Sequence, residues 1–335
     1  MPLHFLGNSV TLENVFIASS GTVCGPLEYL GPLGSDFDKS IQDYHYGEKS
    51  FEKAERKMLR DALDICLKRE RLKYHDVDLY LGSDLLNQIT SVNYLAREIM
   101  KPFIGVYGAC SGFALSLALG SLLVEAGFVD RVMTMVSSHN ASAERQYRYP
   151  VEYGVQKKAT TTFTATGAVA TLLTSQKQHV KVEAITLGRV IDYEQTDAND
   201  MGRAMAPAAF DTLMNHFQDL KRSFHDYDLV VTGDLSMYGH QILKEMLQRQ
   251  KIDVVRYNDC GCMLYDLSHQ PVFQGGSGCA CSALVTMGSL YPQLKDKKLK
   301  RILVVSTGAL LSPMMSAQKE SIPCIAHAIS LEAVE

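Results

Sequence analysis

His75-Asp76-Val77-Asp78-Leu79-Tyr80-Leu81-Gly82-Ser83-Asp84-Leu85 returns as His225-Asp226-Tyr227-Asp228-Leu229-Val230-Val231-Thr232-Gly233-Asp234-Leu235. Arg131-Val132-Met133-Thr134-Met135-Val136-Ser137-Ser138 likewise returns as Arg301-Ile302-Leu303-Val304-Val305-Ser306-Thr307-Gly308. Between these pairs, Cys110-Ser111 opens an apolar helix and Cys281-Ser282 stands at the start of another. The echoes keep one order and lie 150 to 171 residues apart, which points to a duplicated half-domain. The halves are placed at 1–175 and 176–335. A unit that runs strand, helix, strand, helix predicts two similar α/β layers with a site at their seam.

The totals agree. A chain of 335 residues exceeds one ordinary core and suits two halves that pack together. Apolar content of 46% and charged content of 21% are those of a globular protein. A net charge of −4 leaves no electrostatic footprint for nucleic acid. Eight cysteines in so long a chain are not a disulfide framework and favour a reducing compartment. Met1-Pro2-Leu3-His4-Phe5-Leu6-Gly7 has no basic start followed by a long apolar core, so no signal peptide is expected. The longest apolar stretch, 113–124, is too short to span a bilayer, and any membrane role is expected to be peripheral.

Periodicity predicts helices over 48–69, 92–100, 111–126, 208–223, 241–250 and 280–294. Strands are predicted at 15–18, 77–82, 103–107, 131–136, 168–173, 180–187, 229–232 and 302–305. A Gly- and Pro-rich loop is expected over 21–34, and a polar insertion over 137–164. The alternation implies largely parallel sheets covered by helices.

Ile104-Gly105-Val106-Tyr107-Gly108-Ala109-Cys110-Ser111-Gly112 reads as a strand, a sharp turn and a helix start. At a helix N-terminus, unpaired N–H groups and the dipole favour an anion, which lowers a thiol's pKa. The same amides can hold a carboxylate or phosphate instead. A buried small side chain is the plainer reading of the cysteine.

Duplicated α/β halves with a cysteine at such an elbow resemble the thiolase superfamily, and in particular ketoacyl-ACP synthases of the third type. That resemblance implies a five-layered αβαβα fold, an acyl-accepting cysteine and dimerisation through the first half. A closer resemblance lies in Gly202-Arg203-Ala204-Met205-Ala206-Pro207-Ala208-Ala209, Thr232-Gly233-Asp234-Leu235-Ser236, Gly275-Gly276-Ser277-Gly278-Cys279-Ala280-Cys281-Ser282 and Thr307-Gly308-Ala309-Leu310-Leu311-Ser312-Pro313. Ser138-His139-Asn140-Ala141 and Glu320-Ser321-Ile322-Pro323-Cys324-Ile325-Ala326-His327 belong with them. These strings resemble the stage V sporulation protein AD family. The resemblance implies a dipicolinic acid binding protein that helps carry the ligand, with calcium, into the developing spore. It implies a peripheral place on the cytoplasmic side of the forespore inner membrane, and other proteins of the same transport system as partners.

The condensing enzymes end the relevant second-half strand in a proline-histidine-glutamine-alanine-asparagine string. Here the strand runs into Gly233-Asp234, and the enzymes' glycine-asparagine string becomes Gly276-Ser277. Losing one oxyanion donor typically costs roughly 3 kcal/mol of transition-state stabilisation, so losing both argues against condensation. His240-Gln241 imitates the start of the missing string. The rival reading is therefore an acyltransferase or ketoacyl synthase using Cys110 with His240.

Dipicolinate is a planar dianion and needs donors or positive charge beside an apolar wall. The candidate contacts are Cys110 and Ser111 at the elbow, His139 and Asn140 after a strand end, Ser277, Arg203 and Lys157. The insertion also offers Arg145, Arg148 and Lys158, with Tyr147, Tyr149 and Tyr153 interleaved. Asp84 and Asp234 occupy one repeat position and could share a calcium ion, although capping of the following helices is the plainer role. Cys260-Gly261-Cys262 and Cys279-Ala280-Cys281 are spaced too tightly for structural zinc and read as packed thiols. No cofactor is expected.

Overall fold

The computed structural model describes residues 5–148 and 156–335. Tyr149 and Tyr153 lie outside the described residues, as do the first four. The first half contributes β1 (Ser9–Thr11), β2 (Phe16–Cys24), α1 (Pro26–Tyr29), β3 (Lys39–Ser40), α2 (Phe51–Arg69), β4 (Leu79–Ser83), α3 (Thr90–Ile99), β5 (Phe103–Gly105), α4 (Gly112–Glu125), β6 (Arg131–Ser138), α5 (Asn140–Tyr147), β7 (Phe163–Thr164) and β8 (Gly167–Thr174). There follow β9 (Val180–Leu187), α6 (Met201–Leu220), β10 (Leu229–Thr232), α7 (Ser236–Arg249), β11 (Tyr257–Asp259), α8 (Cys260–Met263), β12 (Gly276–Ser277), α9 (Cys279–Leu284), α10 (Tyr291–Lys295), β13 (Arg301–Ala309), α11 (Pro313–Ala317) and β14 (Cys324–Ala333). A π-helical turn, Val285–Leu290, joins α9 to α10.

The strand order is β11-β10-β13-β14-β9-β2-β8-β6-β4-β5. Read inward from either end, the two five-strand runs have the same pattern. They meet at β2 and β9, where Phe16 pairs with Lys181 and Ile17 with Val180. β4 lies parallel to β5 and β6, and β10 lies parallel to β11 and β13 in the same way. The repeated sequence is thus a repeated topology.

Helices α2 and α3 cover the first half-sheet, and α6 and α7 cover the second. Between the half-sheets, α4 touches strands of both. α9 packs beside α4 and against β6 and β8. This gives the five layers expected. α4 is apolar on nearly every side because it is the middle of the sandwich: Phe113, Ala114, Leu117 and Ala118 are all buried.

The structure departs from the sequence reading at several elements. Gly21 to Cys24 continue β2 as far as the pairing of Cys24 with Gly167, and Pro26 opens a short helix, so the loop expected at 21–34 is largely ordered structure. The insertion contains α5, which His139 caps by accepting from the Ala141 amide at 3.2 Å. α6 starts at Met201, with Asp200 as N-cap and Pro207 inside the helix. The buried face of α6 runs past the proline, and that packing outweighs one lost backbone hydrogen bond. β11 and β14 carried no clear sequence signal: the first has three residues, and the second mixes His327, Ser330 and Glu332 into its apolar run.

Candidate functional site

The chain leaves β5 and turns sharply at Gly108-Ala109 before α4. Ala109 has φ +49°, a left-handed conformation that a non-glycine residue holds only when its surroundings impose it. They do so here: β13 passes so close that a Cβ on Gly308 would lie 2.1 Å from the Gly108 carbonyl oxygen. Ser111 is fully buried, and its hydroxyl donates to the Gly108 oxygen at 2.6 Å. Its amide donates to the same oxygen at 3.1 Å. Ser111 therefore locks the elbow and is not among the residues lining the cavity in front of it.

That cavity has Cys110 and Ser277 on its floor, with Sγ and Oγ 3.5 Å apart. Ser277 arrives on β12, which pairs with β7, so the two halves meet at this contact. Leu85, Tyr107, Tyr147, Met201 and Leu311 supply walls. The Tyr107 and Tyr147 hydroxyls stand 3.3 Å apart, and Tyr147 also donates to the Leu85 carbonyl. The open volume is about 40 Å³.

Arg148 also lines the cavity, with a side chain only 4% exposed. Its Nε donates to Glu144 Oε2 at 3.1 Å, and its Nη2 to Glu144 Oε1 and to the Thr162 carbonyl at 2.9 Å. The other nitrogen, Nη1, is buried without a hydrogen-bond partner among the described residues. A buried guanidinium N–H left unmatched is costly, and an anionic ligand is what would match it.

Cys110 is 7% exposed, and burial pushes its thiol up to about 12, with the Asp234 carboxyl adding to the shift. The expectation was that the helix N-terminus lowers it; here the direction is upward, and desolvation is its largest cause. The thiol is protonated at neutral pH, so it is a weak donor toward an anion and a poor nucleophile.

The other expected contacts lie elsewhere. His139 is fully buried and uses both ring nitrogens, Nδ1 as the α5 cap and Nε2 toward the Tyr44 carbonyl at 2.8 Å. Burial lowers it to about 4, so it is a neutral structural histidine. Asn140 donates its amide to Thr166 Oγ1 at 3.0 Å and its side-chain nitrogen to the Thr164 carbonyl at 3.1 Å. Neither lines the cavity. Arg203 is exposed on the first turn of α6, 4.0 Å from Asp200. Lys157 is not among the residues lining the cavity; it lies 3.9 Å from Glu144 and over the Phe163 ring, and burial lowers its pKa.

Asp84 and Asp234 are engaged separately by backbone amides. Asp84 accepts the Leu86 and Val92 amides at 2.8 and 2.9 Å, the capping role. Asp234 accepts the Thr307 amide at 3.3 Å, and its pKa is raised by burial and by Asp259. Among the described residues, no three His, Cys, Asp or Glu are arranged to hold a metal ion. His240 lies on α7, stacked on Tyr257 with centroids 4.3 Å apart, and does not line the Cys110 cavity.

The sequence reading named Arg148 among the cations of the insertion but did not single it out as a ligand contact. The usable signal was Glu144 four residues before Arg148, the spacing that joins two charges on one helix face.

A family model for stage V sporulation protein AD matches residues 8–332. The chain is 48% identical over 319 residues to stage V sporulation protein AD of Bacillus subtilis (strain 168), covering 95% of this chain and 94% of that protein. The chain belongs to the stage V sporulation protein AD family. Among solved structures, it resembles 3-oxoacyl-[acyl-carrier-protein] synthase III from Aquifex aeolicus VF5, with a TM-score of 0.60 and 12% identity over 95% of this chain and 99% of that one. It also resembles the C143A variant of OleA from Xanthomonas campestris, with a TM-score of 0.59 and 13% identity over 98% and 100% of the two chains. Both likenesses establish the thiolase-type fold of this family member. Among the described residues, no helix is long and apolar enough to cross a membrane.

Proposed function

We propose that this member of the family is a binding protein for dipicolinate, and that it works in the dipicolinate uptake system of the developing spore without condensing chemistry. The observation that carries the reading is the buried Arg148 Nη1, without a hydrogen-bond partner among the described residues, in a cavity lined also by a protonated thiol and a hydroxyl. The guanidinium nitrogen, and whichever of the paired thiol and hydroxyl keeps its proton free, can donate toward an anion. The tyrosine and aliphatic walls suit a flat ring. In this reading the protein acts at the inner spore membrane as a peripheral component and passes its ligand to membrane partners of the same system; calcium travels with the ligand, and the protein works as a homodimer.

The rival reading, acyl transfer through Cys110, has less support. The thiol is held protonated, and His240 is engaged with Tyr257 outside the cavity. Calorimetric titration of the protein with dipicolinate separates the two. Saturable binding that weakens in Cys110→Ala is expected, with no mass shift after incubation with acyl-CoA. An acyl adduct on Cys110 together with no dipicolinate binding would reverse the conclusion.

A further inference from the structure

Among the described residues, five helices end in the same turn. After α2, α4, α6, α7 and α10 a left-handed residue closes the helix, and the next amide reaches back over the last turn, as Arg222 N–H does to the Phe217 carbonyl at 2.9 Å. Glycine takes this position without strain. Of the five helices, α4 alone uses one, Gly127 at φ +67°. The other four positions hold Arg71, Lys221, Lys251 and Lys297, at φ +53° to +58°. α3 ends on another left-handed residue, Met100 at φ +53°. A helix dipole favours a cation anywhere in the last turn, so it does not account for cations at the one strained position.

These turns lie at one end of the molecule. Each precedes one of the parallel strands β4, β5, β6, β10, β11 and β13, at the strand's N-terminal end. The turn 175–179 joins the two half-sheets there. On one side of it Thr174 pairs with Arg131, at the start of β6. On the other the His179 carbonyl accepts from Val334 N–H, next to the pairing of Glu332 with Arg301 at the start of β13. Arg71, Lys221, Lys251 and Lys297 are exposed, and none joins an ion pair among the described residues. Acids at this end are engaged: Asp76, Asp78, Asp226 and Asp228 accept backbone amides, Asp253 meets His225 and Asp296 meets Lys298. The same loops expose Met100 (84%) and Phe128 (77%). The Cys110 cavity is at the opposite end, lined by Leu85, Tyr107 and Ala309 at or just beyond the C-terminal ends of β4, β5 and β13.

We propose that this end of the molecule is a docking surface for an anionic lipid membrane. The proposal rests on the peripheral role above and names the face and the chemistry that would carry it. Exposed cations meet the headgroup phosphates, and each one near the surface adds to the attraction. Met100 and Phe128 add apolar contact with the acyl boundary, which an acidic soluble partner or a nucleic acid does not call for. Docked this way, the cavity faces the aqueous side.

The test is cosedimentation of the full chain with phosphatidylcholine vesicles, with and without phosphatidylglycerol, beside thermal unfolding. The wild type is expected to bind the mixed vesicles and to be released by high salt. Arg71→Gly/Lys221→Gly/Lys251→Gly/Lys297→Gly should bind them more weakly by about fivefold for each cation removed. It should melt no lower than the wild type, because glycine relieves the left-handed strain. Met100→Ser/Phe128→Ser should also weaken binding. A charge-matched control at exposed lysines elsewhere, Lys49→Gln/Lys53→Gln/Lys244→Gln/Lys319→Gln, should keep it. Wild-type protein that ignores the mixed vesicles, a glycine variant that binds as the wild type does, a control as weak as the glycine variant, or binding to RNA without binding to vesicles would each overturn the inference. Retention of the glycine variant in the membrane fraction of sporulating cells would overturn this face and leave the peripheral role standing. Absence of the wild type from that fraction would remove the role itself.

Discussion

Arg148→Gln separates what the guanidinium does for the fold from what it does for a ligand. In the native protein, Arg148 neutralises Glu144, a residue 1% exposed that also accepts from Thr164 Oγ1 at 3.0 Å. Removing one partner of a buried pair leaves an uncompensated charge and typically costs about 3–5 kcal/mol. Lys157 Nζ, 3.9 Å from Glu144 Oε2, offsets part of that, so about 3 kcal/mol is expected. Glu144→Gln/Arg148→Gln removes both charges together and should recover most of the loss, ending within about 1 kcal/mol of the wild type. Ligand binding should behave differently. Both variants lack the charge-assisted donor, worth about 1.5–3 kcal/mol, so both should bind dipicolinate roughly 10- to 150-fold more weakly. Urea unfolding followed by fluorescence and circular dichroism gives the first quantity, and calorimetry the second. A double variant that regains stability and also regains wild-type affinity would refute the assignment of Arg148 as the anion anchor. A single variant as stable as the wild type would refute the buried ion pair.

Burial raises the Glu28 carboxyl from 4.5 to about 7, while Tyr265 and the Thr166 amide donate to it. Between those pH values the folded state holds a proton that the unfolded chain has released, so stability falls as pH rises through the window, by about 3 kcal/mol in all. Urea midpoints from pH 4 to pH 8 should show this slope in the wild type and a flatter one in Glu28→Gln; equal slopes would exclude the assignment. At Gly233, an added Cβ would lie 2.9 Å from Ser282 Cβ and 3.0 Å from Ser306 Cα, so Gly233→Ala should cost about 1–3 kcal/mol in the same unfolding assay. A protonated thiol at about 12 should react slowly: iodoacetamide labelling of Cys110 at pH 7.5, read by peptide mass spectrometry, is expected to trail an exposed model thiol, and labelling at the model rate would contradict it.

The sequence carried the architecture well because the duplication preserved strand ends. The Asp78 and Asp228 carboxylates, at one repeat position, accept the Arg131 and Arg301 amides at 2.9 and 3.1 Å, so the echoed letters do the same job twice. The elbow was legible because its glycine, cysteine and apolar helix are consecutive. The cavity was not, because it draws residues from both halves: Cys110 and Ser277 are 167 positions apart and meet only after the half-sheets pack. His139 misled for a physical reason. A strand-end histidine has the composition of a ligand contact, but its burial beside Tyr44 and Phe51 makes it a cap. Arg148 gained its significance from one nitrogen that geometry leaves over, which no residue letter records.

The shared middle layer bears on ancestry. α4 rests on strands of both half-sheets, so a single half standing alone would present that apolar helix to water. A half of this length standing alone would need a cover for that helix, and a two-fold pair, with the same helix facing its own copy across the axis, supplies one. Two copies joined in one chain make that pairing intramolecular, at an effective concentration of order millimolar for a short connection. Joining also releases the copies from identity. Once one polypeptide held both, Cys110 could stay at the cavity while its counterpart in the other copy, Cys281, became a fully buried core residue.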